Sequence, residues 1–232
     1  MTLKVSEIFY SLAGEGERAG EASIFIRLSG CSAKQVCFKV AGVNCDTEFE
    51  SGKEMTLTQI LMEAVLAIGR ACPDMKPTLP GEPERSSYLW VVFSGGEPLD
   101  QLTEDHLNEF KSLGYKIAIE TSGIRFLSER KAFLIDHITI SPKVAEHVLL
   151  KNFGHLRLGD DSQPNVHELR YVRHAGQFGV PVPSLKAKYY YLSPHSDGGE
   201  LNQANVDHCM KLCLENPQWR LSLQMHKVWS IL

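Results

Sequence analysis

Residues 91–98 read Val91-Val92-Phe93-Ser94-Gly95-Gly96-Glu97-Pro98. A short apolar run of β-branched and aromatic residues, stopped by paired glycines and a proline, predicts a buried strand that ends in a loop. The same arrangement recurs along the chain. Ile24-Phe25-Ile26-Arg27-Leu28 leads into a loop that holds Cys31, Cys37 and Cys45. Ile117-Ala118-Ile119 leads into Glu120-Thr121-Ser122-Gly123, and Ile138-Thr139-Ile140 leads into Ser141-Pro142-Lys143. The unusual residues therefore collect just past the C-terminal ends of strands. In α/β barrels and open α/β sheets that edge is where ligands bind.

Working outward, helix-like stretches alternate with these strands. A helix is predicted from about Thr56, where Thr56 and Gln59 have capping-box spacing and Ile60, Leu61, Ala64, Val65 and Ile68 share a face. A Pro-rich loop over residues 73–83 precedes a strand over 88–93. Residues 102–113 read as a helix stopped by Gly114, and 126–133 as a short helix. Further strands are expected over 168–172, 189–192 and 220–223, with a helix over 202–214. The first strand-like run is Ala22–Leu28. Alternation of this kind implies right-handed crossovers and a mainly parallel sheet, in an α/β fold that is either an incomplete barrel or an open sheet. One domain is expected over residues 1–232, with the cysteine loop at about 31–47.

The bulk composition bounds the function classes. The chain has 232 residues, 43% of them hydrophobic, and a formal net charge of -4. No basic field argues for a nucleic-acid partner. No apolar run approaches the length of a membrane span. The first residues lack the charged start and apolar stretch of a secretory signal. A cytoplasmic location is expected. In that reducing compartment, clustered cysteines point to a metal or catalysis more than to disulfides. Cys72, Cys209 and Cys213 read as packing residues.

Three thiolates in one loop are soft ligands that suit zinc or an iron–sulfur cluster. A closed zinc site needs a fourth ligand, and no histidine lies nearby. Three ligands on a four-iron cluster leave one iron open to an external group. The glycines of Ser94-Gly95-Gly96-Glu97-Pro98 let backbone amides approach a small zwitterion. Arg27 ends an apolar strand, and a guanidinium there pairs with a carboxylate, either an internal one such as Glu15 or a substrate's. His226, after the last strand, reads first as a hydrogen-bonded structural residue.

Taken together, the cysteine loop, Gly95-Gly96-Glu97-Pro98 and Ser141-Pro142-Lys143 resemble the radical S-adenosylmethionine (SAM) superfamily. More narrowly, the chain resembles the 7-carboxy-7-deazaguanine synthase family of the queuosine pathway. Residues 7–16, 24–28, 45–47, 94–98, 120–123, 141–143 and 219–227 carry the resemblance. It implies a partial TIM-like barrel of the radical SAM type, a homodimer, and a lyase that turns 6-carboxy-5,6,7,8-tetrahydropterin into 7-carboxy-7-deazaguanine. In that family, one-electron cleavage of SAM gives a 5′-deoxyadenosyl radical that takes hydrogen from the pterin, and ring contraction releases ammonia.

The resemblance also implies roles by position. Cys31, Cys37 and Cys45 would bind a [4Fe-4S] cluster, and Thr47 a magnesium ion. Asn44, Cys45, Asp46, Gly96, Glu120, Ser141, Pro142 and Lys143 would contact SAM. Leu12, Ala13, Gly14, Glu15, Arg27, Ser94, His226 and Leu232 would line the pterin site. A flavodoxin- or ferredoxin-type reductant is implied as partner. Four departures stand out: Gly42 occupies the family's middle cysteine position, Asn44 a usual aromatic, Ala13 a glutamine and Ser94 a threonine. A divergent radical SAM enzyme on another substrate, or a non-catalytic relative with zinc or no metal, are the alternative readings.

Overall fold

The structure, a computed structural model, describes residues 2–41, 50–74, 88–159, 162–196 and 200–231. Its strands are β1 (Thr2–Leu12), β2 (Ala22–Leu28), β3 (Lys53–Thr56), β4 (Trp90–Gly95), β5 (Lys116–Thr121), β6 (His137–Ile140), β7 (Val166–Arg173), β8 (Ala187–Pro194) and β9 (Trp219–Leu221). Among the described residues these form one sheet in the order β3-β1-β2-β4-β5-β6-β7-β8-β9. β1 pairs antiparallel with β2 and β3. From β2 to β9 every pairing is parallel. This is the mainly parallel, open-barrel α/β architecture expected.

The helices are α1 (Lys34–Ala41), α2 (Leu57–Ala71), α3 (Glu104–Ser112), α4 (Glu129–Phe133), α5 (Glu146–Phe153), α6 (Gln203–Glu215) and α7 (Met225–Trp229). α2 starts where its sequence says it should: Thr56 is the N-cap, and both halves of the capping box with Gln59 are made. Thr103 caps α3 in the same way, with His106 in the reciprocal position.

Strand side chains alternate between two faces. Ile24, Ile26, Val91, Phe93, Ile117, Ile119, Ile138, Ile140 and Leu169 point one way, into the main core with Ile60, Ala64 and Ile68 of α2 and Leu107 and Phe110 of α3. Each such side chain contributes about 1.5–3 kcal/mol by leaving water. The other face carries different chemistry. Its register rows run Ser23, Trp90, Lys116, then Phe25, Val92, Ala118, His137, then Arg27 beside Ser94 and Glu120, Thr139, Glu168, Tyr189. A face lined with Arg, Glu, His and Ser is built to hold polar groups, and it opens to the ligand edge.

Two expectations need correction, and a third lies mostly outside the described residues. β1 precedes the run that reads as the first strand, and β3 lies beyond it at the sheet edge. Cys37 does not sit in an open loop but on α1, the helix that follows Cys31. The Pro-rich segment over 73–83 falls mostly outside the described residues. No helix among the described residues is long and apolar enough to cross a membrane.

Candidate active site

The ligand edge begins where β2 and β4 end side by side. Gly95 has φ +97, and a side-chain carbon there would lie 2.5 Å from the Leu28 carbonyl oxygen. At Gly96 the same atom would lie 1.7 Å from the Gly30 carbonyl oxygen and 3.4 Å from Cβ of Cys31. The paired glycines are thus required first by the cysteine segment, whose backbone fills the space a side chain would need. The Gly96 amide donates to Leu28 O at 2.8 Å and the Glu97 amide to Gly30 O at 3.1 Å. Two further residues brace Cys31. The Asp100 carboxylate accepts from the Ser32 amide at 2.9 Å, and the Gln101 side-chain amide donates to Ser29 O at 2.7 Å.

Glu97 ties this edge to the next. It is fully buried. One carboxylate oxygen accepts from Leu99 N at 3.2 Å and Thr121 Oγ1 at 2.7 Å. The other accepts from Ser122 N at 3.0 Å and Ser122 Oγ at 2.5 Å. The Ser141 amide then bonds Thr121 O at 2.8 Å and the Lys143 amide bonds Ser122 O at 3.0 Å. Lys143 Nζ donates to Ser141 Oγ at 2.9 Å. Cys31, Gly96, Glu120, Ser141, Pro142 and Lys143 therefore share one continuous, hydrogen-bonded rim.

Inside the rim lies a charge network that centres on Arg170, only 6% exposed. Its guanidinium meets Glu15 at 2.8 Å, Glu168 at 3.2 Å and Glu120 at 3.6 Å. Burial alone would lower the Arg170 pKa, but the carboxylates of Glu15, Glu120 and Glu168 outweigh it and raise it. Glu168, 1% exposed, also accepts from His137 Nε2 at 3.0 Å and from the Glu17 amide at 2.8 Å. Burial opposes its ionisation, yet the His137 hydrogen bond and the Arg170 charge hold its pKa down at about 2. Beside it, burial and His137 lower His167 to about 4. Glu17, His137 and Glu168 bring three donor atoms within 4.8 Å of one another. Those atoms are already engaged with each other and with Arg170 and Lys188, so the group reads as a hydrogen-bonded brace.

The β1–β2 loop acts as a strap across this face. The Gly16 amide donates to Ser222 Oγ at 3.1 Å, and Ser193 Oγ donates to Glu15 at 3.0 Å. The Met225 amide donates to Gly14 O at 2.9 Å. A side-chain carbon on Gly14 would sit 2.4 Å from His226 Nδ1, and one on Gly16 2.2 Å from the Glu168 carboxylate. Gly14, Glu15 and His226 are thus brought together, as expected of one pocket.

Arg27 stands apart from them. Its guanidinium pairs with Glu7 at 2.8 Å and lies over the Phe9 ring. The internal carboxylate proposed for it, Glu15, belongs instead to Arg170. Ser94 is Arg27's register partner on β4, and Leu12 and Ala13 end β1 and begin the strap. Asn44, Cys45, Asp46, Thr47, Gly42 and Leu232 lie outside the described residues. Cys31 and Cys37 are both half-buried. Cys209 packs with Leu192, Leu212 and Trp219 in a small second core, and its thiol pKa rises to about 12 through burial, as befits a packing residue.

Sequence reasoning missed Arg170, Glu168, His137 and Arg18. A signal for two of them was present: Glu168 and Arg170 are two apart in a strand, so both charges fall on one face of a central, buried element.

A partial α/β barrel with a cysteine segment locked to a Gly-Gly-Glu-Pro edge defines the class: a radical SAM enzyme scaffold. No family model matches the chain, but individual proteins do. It is 32% identical over 241 residues to the 7-carboxy-7-deazaguanine synthase of Caulobacter vibrioides, covering 98% of each chain. It is 32% identical to the synthase of the same name from Nitratidesulfovibrio vulgaris, over the whole of both chains. The crystal structure of QueE from Escherichia coli superposes with a TM-score of 0.56 at 20% identity, covering 96% of this chain and 94% of that one. The chain belongs to the 7-carboxy-7-deazaguanine synthase family.

Proposed function

We propose that this protein is a lyase that converts 6-carboxy-5,6,7,8-tetrahydropterin to 7-carboxy-7-deazaguanine, with loss of ammonia. The observation that carries the reading is full-length family membership at 32% identity, on a chain whose rim motifs lock together as one edge.

Two of the three expected cluster ligands, Cys31 and Cys37, lie among the described residues. Cys31 lies against Gly96, with Cys37 on the helix just beyond it. With Cys45 they supply three soft thiolates, the donor set for a [4Fe-4S] cluster with one open iron. When bound, the cluster and SAM supply the one-electron chemistry of the ring contraction. The protein's part is positioning. Gly96, Glu120, Ser141, Pro142 and Lys143 would contact SAM, as Asn44, Cys45 and Asp46 would by the family's pattern. Glu120 reaches the rim from β5 and is oriented from within by Arg170. Leu12, Ala13, Gly14, Glu15, Ser94 and His226, with Arg27 and Leu232 by the family's pattern, would line the pterin side, and the strap holds Glu15 over the polar face. Thr47 takes the magnesium ion. The reductant is a flavodoxin- or ferredoxin-type protein, the working form a homodimer, and the compartment the cytoplasm.

The test is anaerobic reconstitution, then turnover with the carboxypterin, SAM and a strong reductant. Deazapurine and 5′-deoxyadenosine are expected together. If neither forms, the proposal fails. SAM cleavage without pterin turnover would instead assign a divergent radical enzyme.

A further inference from the structure

Arg18 sits in the strap, between β1 and β2, and is only 6% exposed. Its backbone is fixed: the Glu21 amide donates to Arg18 O at 2.9 Å, and Ala13 is bonded to both Gly20 and Glu21 at 2.8 Å. Its guanidinium lies over the Trp90 ring, 4.7 Å from the centroid. Trp90 belongs to the polar sheet face and meets His137 edge-on. Every other buried or half-buried cation on that face has a carboxylate within reach: Arg170 has three and Arg27 has one. Arg18 has no ion-pair partner among the described residues. Among the described residues its one polar side-chain contact is Ser23 Oγ at 3.4 Å, for a group with five donors. Glu120, Glu21 and Glu168 act on it only through space, and burial leaves its pKa lowered.

A buried guanidinium lacking a counter-charge is costly to the fold. Arg18 is held against the polar sheet face, at the starts of β2 and β4, where a bound ligand's acceptor would complete it. We propose that Arg18 is a binding residue whose guanidinium takes an oxygen acceptor of the substrate, a carboxylate or ring-carbonyl oxygen. The assignment rests on the pterin reading above and adds a contact to it. Arg27, already paired with Glu7, is then not the sole cation available to the substrate.

The test compares the reconstituted wild-type enzyme with R18M and R18K. R18M is expected to raise the KM for the carboxypterin about tenfold or more, with the KM for SAM within about twofold. R18K recovers part of the loss. The melting temperature of R18M is expected to hold or rise, because an uncompensated buried charge has been removed. A tetrahydropterin lacking the carboxylate, used as a competitive inhibitor, separates the two acceptors. If its inhibition constant is unchanged in R18M, the carboxylate is the partner; if it weakens by the same factor as the substrate, the ring carbonyl is. An unchanged pterin KM in R18M overturns the proposal, and a lowered melting temperature alongside it assigns Arg18 to packing on Trp90. If the wild type makes no deazapurine, the proposed activity fails, and equilibrium binding of the carboxypterin decides Arg18 separately. Binding about tenfold weaker to R18M sustains it; equal binding, or none to the wild type, overturns it.

Discussion

Glu168 carries a prediction that can be worked through from the structure. Its carboxylate bonds His137, Arg170 and the Glu17 amide, and its pKa stands at about 2 against an ordinary 4.5. At about 1.36 kcal/mol per pKa unit, that difference stabilises the fold by about 3 kcal/mol at neutral pH. The folded-state pKa is the depressed one, so the stabilisation is fully present above about 4.5 and drains away as the pH falls toward 2. At pH 3 less than half of it, about 1 kcal/mol, should remain. E168Q keeps the shape and removes the charge. Urea unfolding of wild type and variant, compared at pH 7, 5, 4 and 3, should show a gap of about 2–3 kcal/mol at pH 7 that narrows by more than half at pH 3. A gap below about 0.5 kcal/mol at pH 7, or one that stays constant down to pH 3, would refute the view that an ionised Glu168 holds this face together.

Three further outcomes are expected. G96A places a carbon on the Gly30 carbonyl, so reconstituted enzyme should carry less than about half the wild-type iron, read by iron and sulfide analysis. E97Q turns one acceptor into a donor facing Thr121 or Ser122. SAM should bind it about tenfold more weakly by calorimetry, with a melting temperature lowered by several degrees. T56A removes the cap of α2 and should cost about 1 kcal/mol in unfolding free energy without changing either substrate's KM.

The elements that were legible in the sequence are those whose environment is uniform. β4 and β5 hold short apolar runs, over residues 91–93 and 117–119, buried throughout, and β6 is buried at all four positions. β1 hides because a register shift between Val5 and Glu7 breaks its alternation: Leu3 and Val5 are buried, then Ile8 and Phe9. β3 is a four-residue edge strand whose side chains are mostly exposed. α5 has no side-chain cap at Ala145, so no local residue marks its start. The rim was legible because its motifs sit at strand ends. The network beneath it was not, because the pairing of Arg170 with Glu15 spans 155 positions, and nothing local distinguishes Arg18 from any surface arginine.

The lock between Gly96 and Gly30 has a consequence for how such a protein tolerates change. Cys31 is placed by a neighbouring strand, through Leu28, Gly30, Asp100 and Gln101. These contacts are made on the strand side, independently of the length of chain that follows α1. Insertions or deletions beyond α1 can therefore accumulate without moving the first thiolate or the glycine edge. The departure at Gly42, where the family has its middle cysteine, is the kind of variation such a moored starting point permits, much as a rope made fast at one end can be paid out to any length from the other.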